Sequence, residues 1–328
     1  MEQHGKFIIS LDFELLWGVR DKRSIATYGD NIKNVHTVIP RLLEEFTRHN
    51  IKGTFAIVGF LFLKNKQDLL ENIPGKKPGY ADQNLSPYHD EFDKIEDPAY
   101  YFAPELIKLI AHTPGQEIGT HTYSHYYTLE NGQNISEFED DLKMAIKVAA
   151  DNDISFTSIV FPRNQYNDAY LEVCKKAGLI CYRGNELSWI YEPRNSDKES
   201  LIRRGVRLLD VYVNITGHHT FSDVSVANKD FVNIPASRFL RPYSRTLSFL
   251  DKWRLRRIKT GMLHAATHNS TYHLWWHPHN FGNHIEENIA FLGQVLSYYN
   301  ELNIKYGFIS YTMTELAKKI QANERQAV

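Results

Sequence analysis

Short apolar runs alternate with amphipathic stretches along nearly the whole chain. Phe7 to Asp12 is an apolar run closed by an acid, the pattern of a buried first strand that ends at a rim. From Asn34 to His49, Val35, Val38, Ile39, Leu42, Leu43 and Phe46 recur at helical spacing and predict an amphipathic helix. The alternation continues with strands at Lys52 to Val58, Glu117 to Gly119, Ser158 to Phe161, Ile180 to Arg183, Tyr272 to Trp276 and Tyr306 to Ser310. Helices are predicted between and after them, at Phe60 to Leu70, Pro104 to His112, Ser136 to Asp151, Ala169 to Ala177, Glu286 to Asn300 and Thr314 to Ile320. Ser136, three residues before Glu139, supplies a capping-box start for the third of these. Strand–helix repeats bury a parallel sheet under helices, so the fold class is α/β, and the pattern agrees with a barrel. A length of 328 residues would permit two domains, yet α/β barrels fill this size as one, and residues 1–328 read as a single domain.

Two stretches break the alternation and read as loop insertions. Residues 72–103 contain Pro74, Gly75, Pro78, Gly79, Pro87 and Pro98, which interrupt any periodicity, and are expected to cover or shape a cleft. Residues 200–271 are the second. Within them, Ser237 to Thr260 carries Arg238, Arg241, Arg245, Lys252, Arg254, Arg256, Arg257 and Lys259 against the single acid Asp251, interleaved with Phe239, Leu240, Phe249, Leu250, Trp253 and Ile258. So local a basic excess suits a phosphate group or peripheral contact of 237–260 with an anionic membrane. A solvated helix face on the exterior would show the same composition.

Composition narrows the partners. The net charge is −1, from 38 Lys+Arg against 39 Asp+Glu, so the molecule is no general polyanion binder and nucleic acid is not the expected partner. Nineteen tyrosines within a 13% aromatic content suit carbohydrate faces as well as packing. The two cysteines, Cys174 and Cys181, read as reduced core thiols. Asp12 arrives before any signal-type apolar region can form, and no run of eighteen apolar residues occurs, so a cytoplasmic location is expected.

Chemistry concentrates at three strand ends. His121 and His125 are four residues apart, and if the chain after Gly119 turns into a helix, both imidazoles share one face and reach one ion. A hydrolytic zinc-type site adds a carboxylate and leaves a position open. Asp12 and Glu14, two apart at the end of the first strand, can divide that work: one binds metal while the other takes a proton from water. Trp275-Trp276-His277-Pro278-His279 ends a third strand-like run in histidines, and α/β folds place their chemistry at such carboxyl ends. Each feature alone has a plainer explanation. A strand can end in acids at the solvent, an Arg can be a structural ion-pair partner, and His264, His268, His273 and His284 read as polar-face or loop residues.

Taken together these motifs resemble the polysaccharide deacetylases of the NodB-homology type, carbohydrate esterase family four, over about Phe7 to Ala317. The resemblance implies a distorted (β/α)7-type barrel of parallel strands. His121-Thr-Tyr-Ser-His125 matches the family's His-Ser/Thr-x-x-His motif in full. In Ser10-Leu-Asp12-Phe-Glu14 the resemblance makes Asp12 the base and Glu14 the third metal ligand. Arg163-Asn-Gln165-Tyr166 stands where the family has Arg-x-Pro-Tyr; Arg163 would hold the base aspartate and the Tyr166 N–H would bind the oxyanion. Arg183-Gly-Asn185-Glu186-Leu-Ser-Trp189 lacks the aspartate that orients the acid histidine, with Glu186 as the candidate replacement, and Trp275-Trp-His277 supplies the acid, His277. Trp189, Trp276 and His279 are the expected sugar contacts, with at least one of Trp275 and Trp276 expected to be ordinary strand core. The implied activity is hydrolysis of the linear amide of an N-acetylated sugar, nucleotide- or lipid-linked, in polysaccharide or lipopolysaccharide biosynthesis, with a divalent ion, Zn²⁺, as cofactor. A small non-sugar amide as substrate, or a catalytically inactive carbohydrate-binding homologue, are the alternatives.

Overall fold

Period-two alternation along the first strand sets up the whole site. The computed structural model describes residues 4–89, 91–191, 201–226 and 231–326. β1 (Lys6–Phe13) is buried along its full length because strands flank it on both edges and cover is complete on both faces. Its odd residues Phe7, Ile9, Leu11 and Phe13 belong to the outer core under the helices, whereas Ile8 belongs to a separate inner cluster. The even residues Ser10 and Asp12 follow Ile8 up the interior, so the strand that starts apolar at the bottom finishes acidic at the top.

Around β1 stand β2 (Gly53–Ile57), β3 (Gln116–Thr120), β4 (Ser158–Ile159), β5 (Cys181–Tyr182), β6 (Val232–Asn233), β7 (Arg238–Phe239), β8 (Thr271–Trp276) and β9 (Ile309–Tyr311). Every pairing between them is parallel, in the order β6-β5-β4-β3-β2-β1-β8-β7, with β9 added to β1 at Lys6–Ile8. The two ends of that order are one continuous piece of chain. Asn233 pairs with Tyr182, the Ala236 N–H donates to the Gly184 carbonyl, and the next N–H, of Ser237, donates to the His273 carbonyl. The segment 232–239 therefore closes the ring, and counting it as one stave the barrel has seven. This corrects the expectation that residues 200–271 are a loop insertion: they hold the closing stave and the helix Asp251–Thr267. Pro235 splits the stave into two strands of two residues, too short to read as a period.

The C-terminal helix Met313–Gln326 plugs the amino end, with Met313, Leu316, Ala317 and Ile320 packed on Ile8, Ala56, Val160, Cys181 and Val232. Beside this apolar plug Glu117 accepts from Thr54, Ser158 and Thr314, a closed polar cluster at the bottom, and the acids and histidines gather at the top. The insertion 72–103 folds as three short 3-10 turns and buries Tyr80, Tyr101 and Phe102, Tyr101 standing edge-on to Trp17 with ring centroids 5.1 Å apart. Among the described residues no helix is long and apolar enough to cross a membrane. Cys174 and Cys181 are buried free thiols.

Three of the eight cations in the basic stretch, Arg238, Arg254 and Arg257, are buried. Arg238 and Arg257 are buried against Asp210, at 3.0 and 3.5 Å, and Asp210 also accepts the N–H groups of Ile215 and Thr216 at 3.0 Å. Burial alone would raise the Asp210 pKa, but Arg238, the Thr216 N–H and Arg257 outweigh it and hold the carboxyl below its ordinary range. Its stabilising contribution is thus present above pH ~4 and is lost as pH falls through the depressed value. Asp210→Ala leaves two buried guanidinium groups without their counter-charge, and we expect a loss of about 3–5 kcal/mol by urea unfolding at neutral pH. A loss below about 1 kcal/mol would show the cluster to be solvated.

Candidate metal centre and its surroundings

Glu14 leaves the barrel interior immediately above Asp12. The chain turns there through Leu15, at φ +47°, into the 3-10 turn Leu15–Gly18. Gly18 lies against the Glu14 carboxylate, and a Cβ built on it would overlap the carboxyl carbon and both oxygens. Gly18→Ala should therefore displace Glu14 and lower metal affinity at least tenfold, of the order seen when groups that orient a ligand are removed. Titration of the apo protein with Zn²⁺ reads this, and an unchanged affinity would remove Glu14 from the ligand set.

His121 and His125 converge, but not on a helix. The residues after β3 form an irregular loop in which Thr122 and His125 have φ of +65° and +58°. Side chains rather than a helical ladder satisfy its amides: Asp141 accepts the N–H of Tyr123 at 2.8 Å and of Ser124 at 3.0 Å, and the Ser124 hydroxyl at 2.5 Å. Thr122 Oγ1 accepts the Tyr126 N–H at 2.7 Å. Burial pushes Asp141 up to about 6 against the pull of these donors. Sequence reasoning missed this residue because on the helix Ile135–Ala150 it is one acid among several, and only its apolar neighbours Phe138, Leu142 and Ala145 mark the buried face.

The three candidate ligands are fully buried, and their ligand atoms lie within 4.8 Å of one another. Glu14 Oε2 is 3.0 Å from His125 Nε2 and 3.4 Å from His121 Nε2. Nδ1 of His121 lies 2.8 Å from the Val160 carbonyl, an acceptor only, so Nδ1 donates there and Nε2 is the ring nitrogen that faces Glu14. Burial pushes His125 down to about 4 despite Glu14, and its Nδ1 faces the Tyr127 hydroxyl at 3.1 Å. Burial acts on Glu14 in the raising direction, but His277, His121 and His125 hold it well below the usual carboxylate range. A carboxylate and two imidazole lone pairs directed at one point repel unless a cation sits between them, so this donor set fits a divalent metal. His279 is buried beside it, with Nδ1 3.8 Å from Glu14 Oε1 and without a hydrogen bond, and burial lowers its pKa to about 3.

Asp12 is held by Arg183, not by Arg163. Nη1 and Nη2 of Arg183 donate to the two Asp12 oxygens at 2.6 and 2.7 Å, with further bonds to Ser10 Oγ at 3.1 Å and Asn164 Oδ1 at 2.9 Å. Burial would raise the Asp12 pKa; Arg183 first, then His121 and His277, bring it below the ordinary value. Arg163 instead pairs with Asp21 and Glu130, and its guanidinium lies 4.0 Å over the Tyr127 ring. With φ of +55° its backbone turns left-handed, carrying the side chain to the Tyr127 side of the centre. Arg183 was available to sequence reasoning as the first charged residue after β5, at a strand end like the other site residues.

His277 Nε2 stands 3.6 Å from Asp12 Oδ2 and 3.7 Å from Glu14 Oε1, and its side chain is 24% exposed where its neighbours are buried. Glu186 does not reach it: its Oε1 accepts from Trp275 Nε1 at 3.1 Å, and His277 Nδ1 meets Asn280 Nδ2 at 3.3 Å. Trp276 is fully buried, stacked on Phe281 and edge-on to Phe46, so it is core and not a sugar contact. Strand alternation puts Trp275 on the site side instead, 4.2 Å from the Arg183 guanidinium. Tyr166 packs on Tyr182 at 5.1 Å, and its N–H makes no hydrogen bond among the described residues. Trp189 lies in the 3-10 turn Trp189–Tyr191, and its side chain falls outside the described residues.

A sequence profile described as Polysaccharide deacetylase matches residues 18–182. No curated protein matches the chain. A solved structure described as a polysaccharide deacetylase from Mycobacterium smegmatis superposes with TM-score 0.62 at 12% identity, covering 98% of this chain and 92% of that one. Another described likewise, from Pseudomonas aeruginosa PAO1, gives 0.56 at 10% identity over 95% and 89%. The Puue allantoinase gives 0.55 at 10% identity over 97% and 90%.

Proposed function

The chain belongs to the polysaccharide deacetylase family, and from that premise we propose that it is a metal-dependent N-deacetylase that hydrolyses the acetamide of an N-acetylated sugar. The observation that carries the reading is the separation of two carboxylates two residues apart. Glu14 is aimed at the imidazoles of His121 and His125, while Asp12 is tied to Arg183 and left to act as a base. Glu14, His121 and His125 would hold the ion, and two imidazoles with one carboxylate suit Zn²⁺. When bound, such an ion polarises a carbonyl and acidifies a water molecule.

The side chains supply the remaining chemistry. Asp12, kept ionised by Arg183, takes the proton of the attacking water. His277 faces the opening, donates to the departing nitrogen and gives a free amine beside acetate. The Tyr166 N–H is the candidate donor to the oxyanion. We assign substrate contact to Trp275, the rim and His279, with the sugar carried on a nucleotide or lipid phosphate and used in surface-polysaccharide assembly in the cytoplasm.

The same fold houses an allantoinase, so ureides are the second class to try. Protein loaded with Zn²⁺ should release acetate from N-acetylhexosamine substrates and leave allantoin intact. Ureide hydrolysis without acetate release would replace the sugar reading, and stoichiometric metal with neither activity would make the chain a binding protein.

A further inference from the structure

Beside the opening, the exposed half of the basic stretch forms a surface that the reaction does not use. β7 runs parallel to β8 and ends at the rim: the Phe239 ring lies 4.8 Å from Trp275 and 5.9 Å from His277, and the Leu240 N–H donates to the Trp275 carbonyl at 2.8 Å. Arg241 therefore emerges at the mouth of the site. The helix Asp251–Thr267 must return from there to the amino end of β8, so its first turn also lies at the rim. Buried Arg254 fastens the two together by donating to the carbonyls of Arg241 and Pro242 and stacking 3.8 Å over Phe291. Outside this clamp Arg241, Arg245, Lys252 and Arg256 are exposed and form no ion pair among the described residues. The one acid, Asp251, pairs with Arg254 at 3.1 Å. Between the cations project Phe249 and Trp253, 74% and 55% exposed and one helical turn apart.

We propose that this tip, Arg241 to Arg256, docks on an anionic lipid bilayer, with Phe249 and Trp253 entering the interface and the four cations meeting headgroups. It rests on the reading above, and selects the lipid-carried sugar among the substrates named there. The chemistry is complementary: unpaired cations around two protruding aromatic side chains match an anionic interface on both counts. A second copy is a poor occupant, because a two-fold contact would set the same cations against one another. Docked this way, the rim that carries His277 lies against the surface from which a lipid-linked sugar would project.

Full-length protein should sediment with phosphatidylcholine vesicles containing about one quarter phosphatidylglycerol and not with pure phosphatidylcholine, and raised salt should release it. Phe249→Ser with Trp253→Ser should weaken partitioning at least tenfold. Arg245→Glu, Lys252→Glu and Arg256→Glu together should abolish the preference for anionic vesicles, since each cation near such a surface contributes roughly fivefold. Acetate release from a soluble N-acetylated oligosaccharide should stay within about twofold in both variants, which also verifies that they fold. A dye on Phe249→Cys should shift to the blue on vesicles. Failure of the wild type to bind, equal binding to neutral vesicles, no dye shift, retention on single-stranded RNA instead, or a dimer abolished by the same substitutions would overturn the proposal. Vesicle binding without acetate release on any sugar would leave docking standing and remove the deacetylase reading.

Discussion

Asp12→Asn should keep a full complement of metal and lose about 10² to 10⁴ in kcat/KM, whereas His121→Ala should lose metal and activity together. The two outcomes separate because the two carboxylates face different partners. Asp12 is not among the groups that could share an ion with the histidines, and both its oxygens are taken by Arg183. An amide there offers one acceptor and no charge, so the proton acceptor disappears, a loss worth about 3 to 5 kcal/mol of barrier. His121 has no such latitude. Its Nδ1 is committed to the Val160 carbonyl and its Nε2 to the shared point, so removing the ring deletes a ligand and opens a buried gap beside Glu14. Metal content by elemental analysis, read beside steady-state rates, decides the matter. Equal loss of metal in both variants would show that the roles of Asp12 and Glu14 are interchanged.

Much of the site was legible because a barrel delivers residues to one rim from the ends of separate strands, and the apolar run before each end is a local signal. Phe7 to Asp12 and the run before His277 carry that signal, whereas Gln116–Thr120 before His121 has Ile118 as its one large apolar residue. What sequence patterning did not supply was side-chain direction. Trp275 and Trp276 are equivalent in composition, yet alternation sends one toward Arg183 and the other against Phe46 and Phe281. The histidine pair was reached by the wrong local structure. Four-residue spacing suggests a helix, while the loop converges its imidazoles through left-handed Thr122 and His125 with Asp141 holding the intervening amides. Such a turn depends on a buried acid from the next helix, seventeen to eighteen residues on, beyond the four-residue spacing that suggested a helix. The same blindness to distant partners hid the closing stave, whose strands are two residues long and exist only through Cys181, Tyr182, Leu274 and Trp275.

The exchange of one arginine for another at the base has the next largest consequence. Burial opposes ionisation of Asp12, and Arg183 is the foremost group opposing burial, so Arg183→Met should let the Asp12 pKa rise. A base works only deprotonated, and the acidic limb of kcat/KM should therefore move to higher pH, with the activity deficit greatest in acid and shrinking as pH increases. Breaking a buried, bidentate pair from one side should also cost about 3 to 5 kcal/mol of stability, since Asp12 is left charged and unpaired below the rim. Arg163→Met should leave the acidic limb in place, because its charge is spent on Asp21 and Glu130 and its guanidinium rests on Tyr127. Profiles measured for both variants separate the two arginines by the position of one limb. If the limb stays fixed in Arg183→Met and moves in Arg163→Met, Arg183 is not the group that sets the base, and the arginine between Pro162 and Asn164 takes the role that its motif suggests.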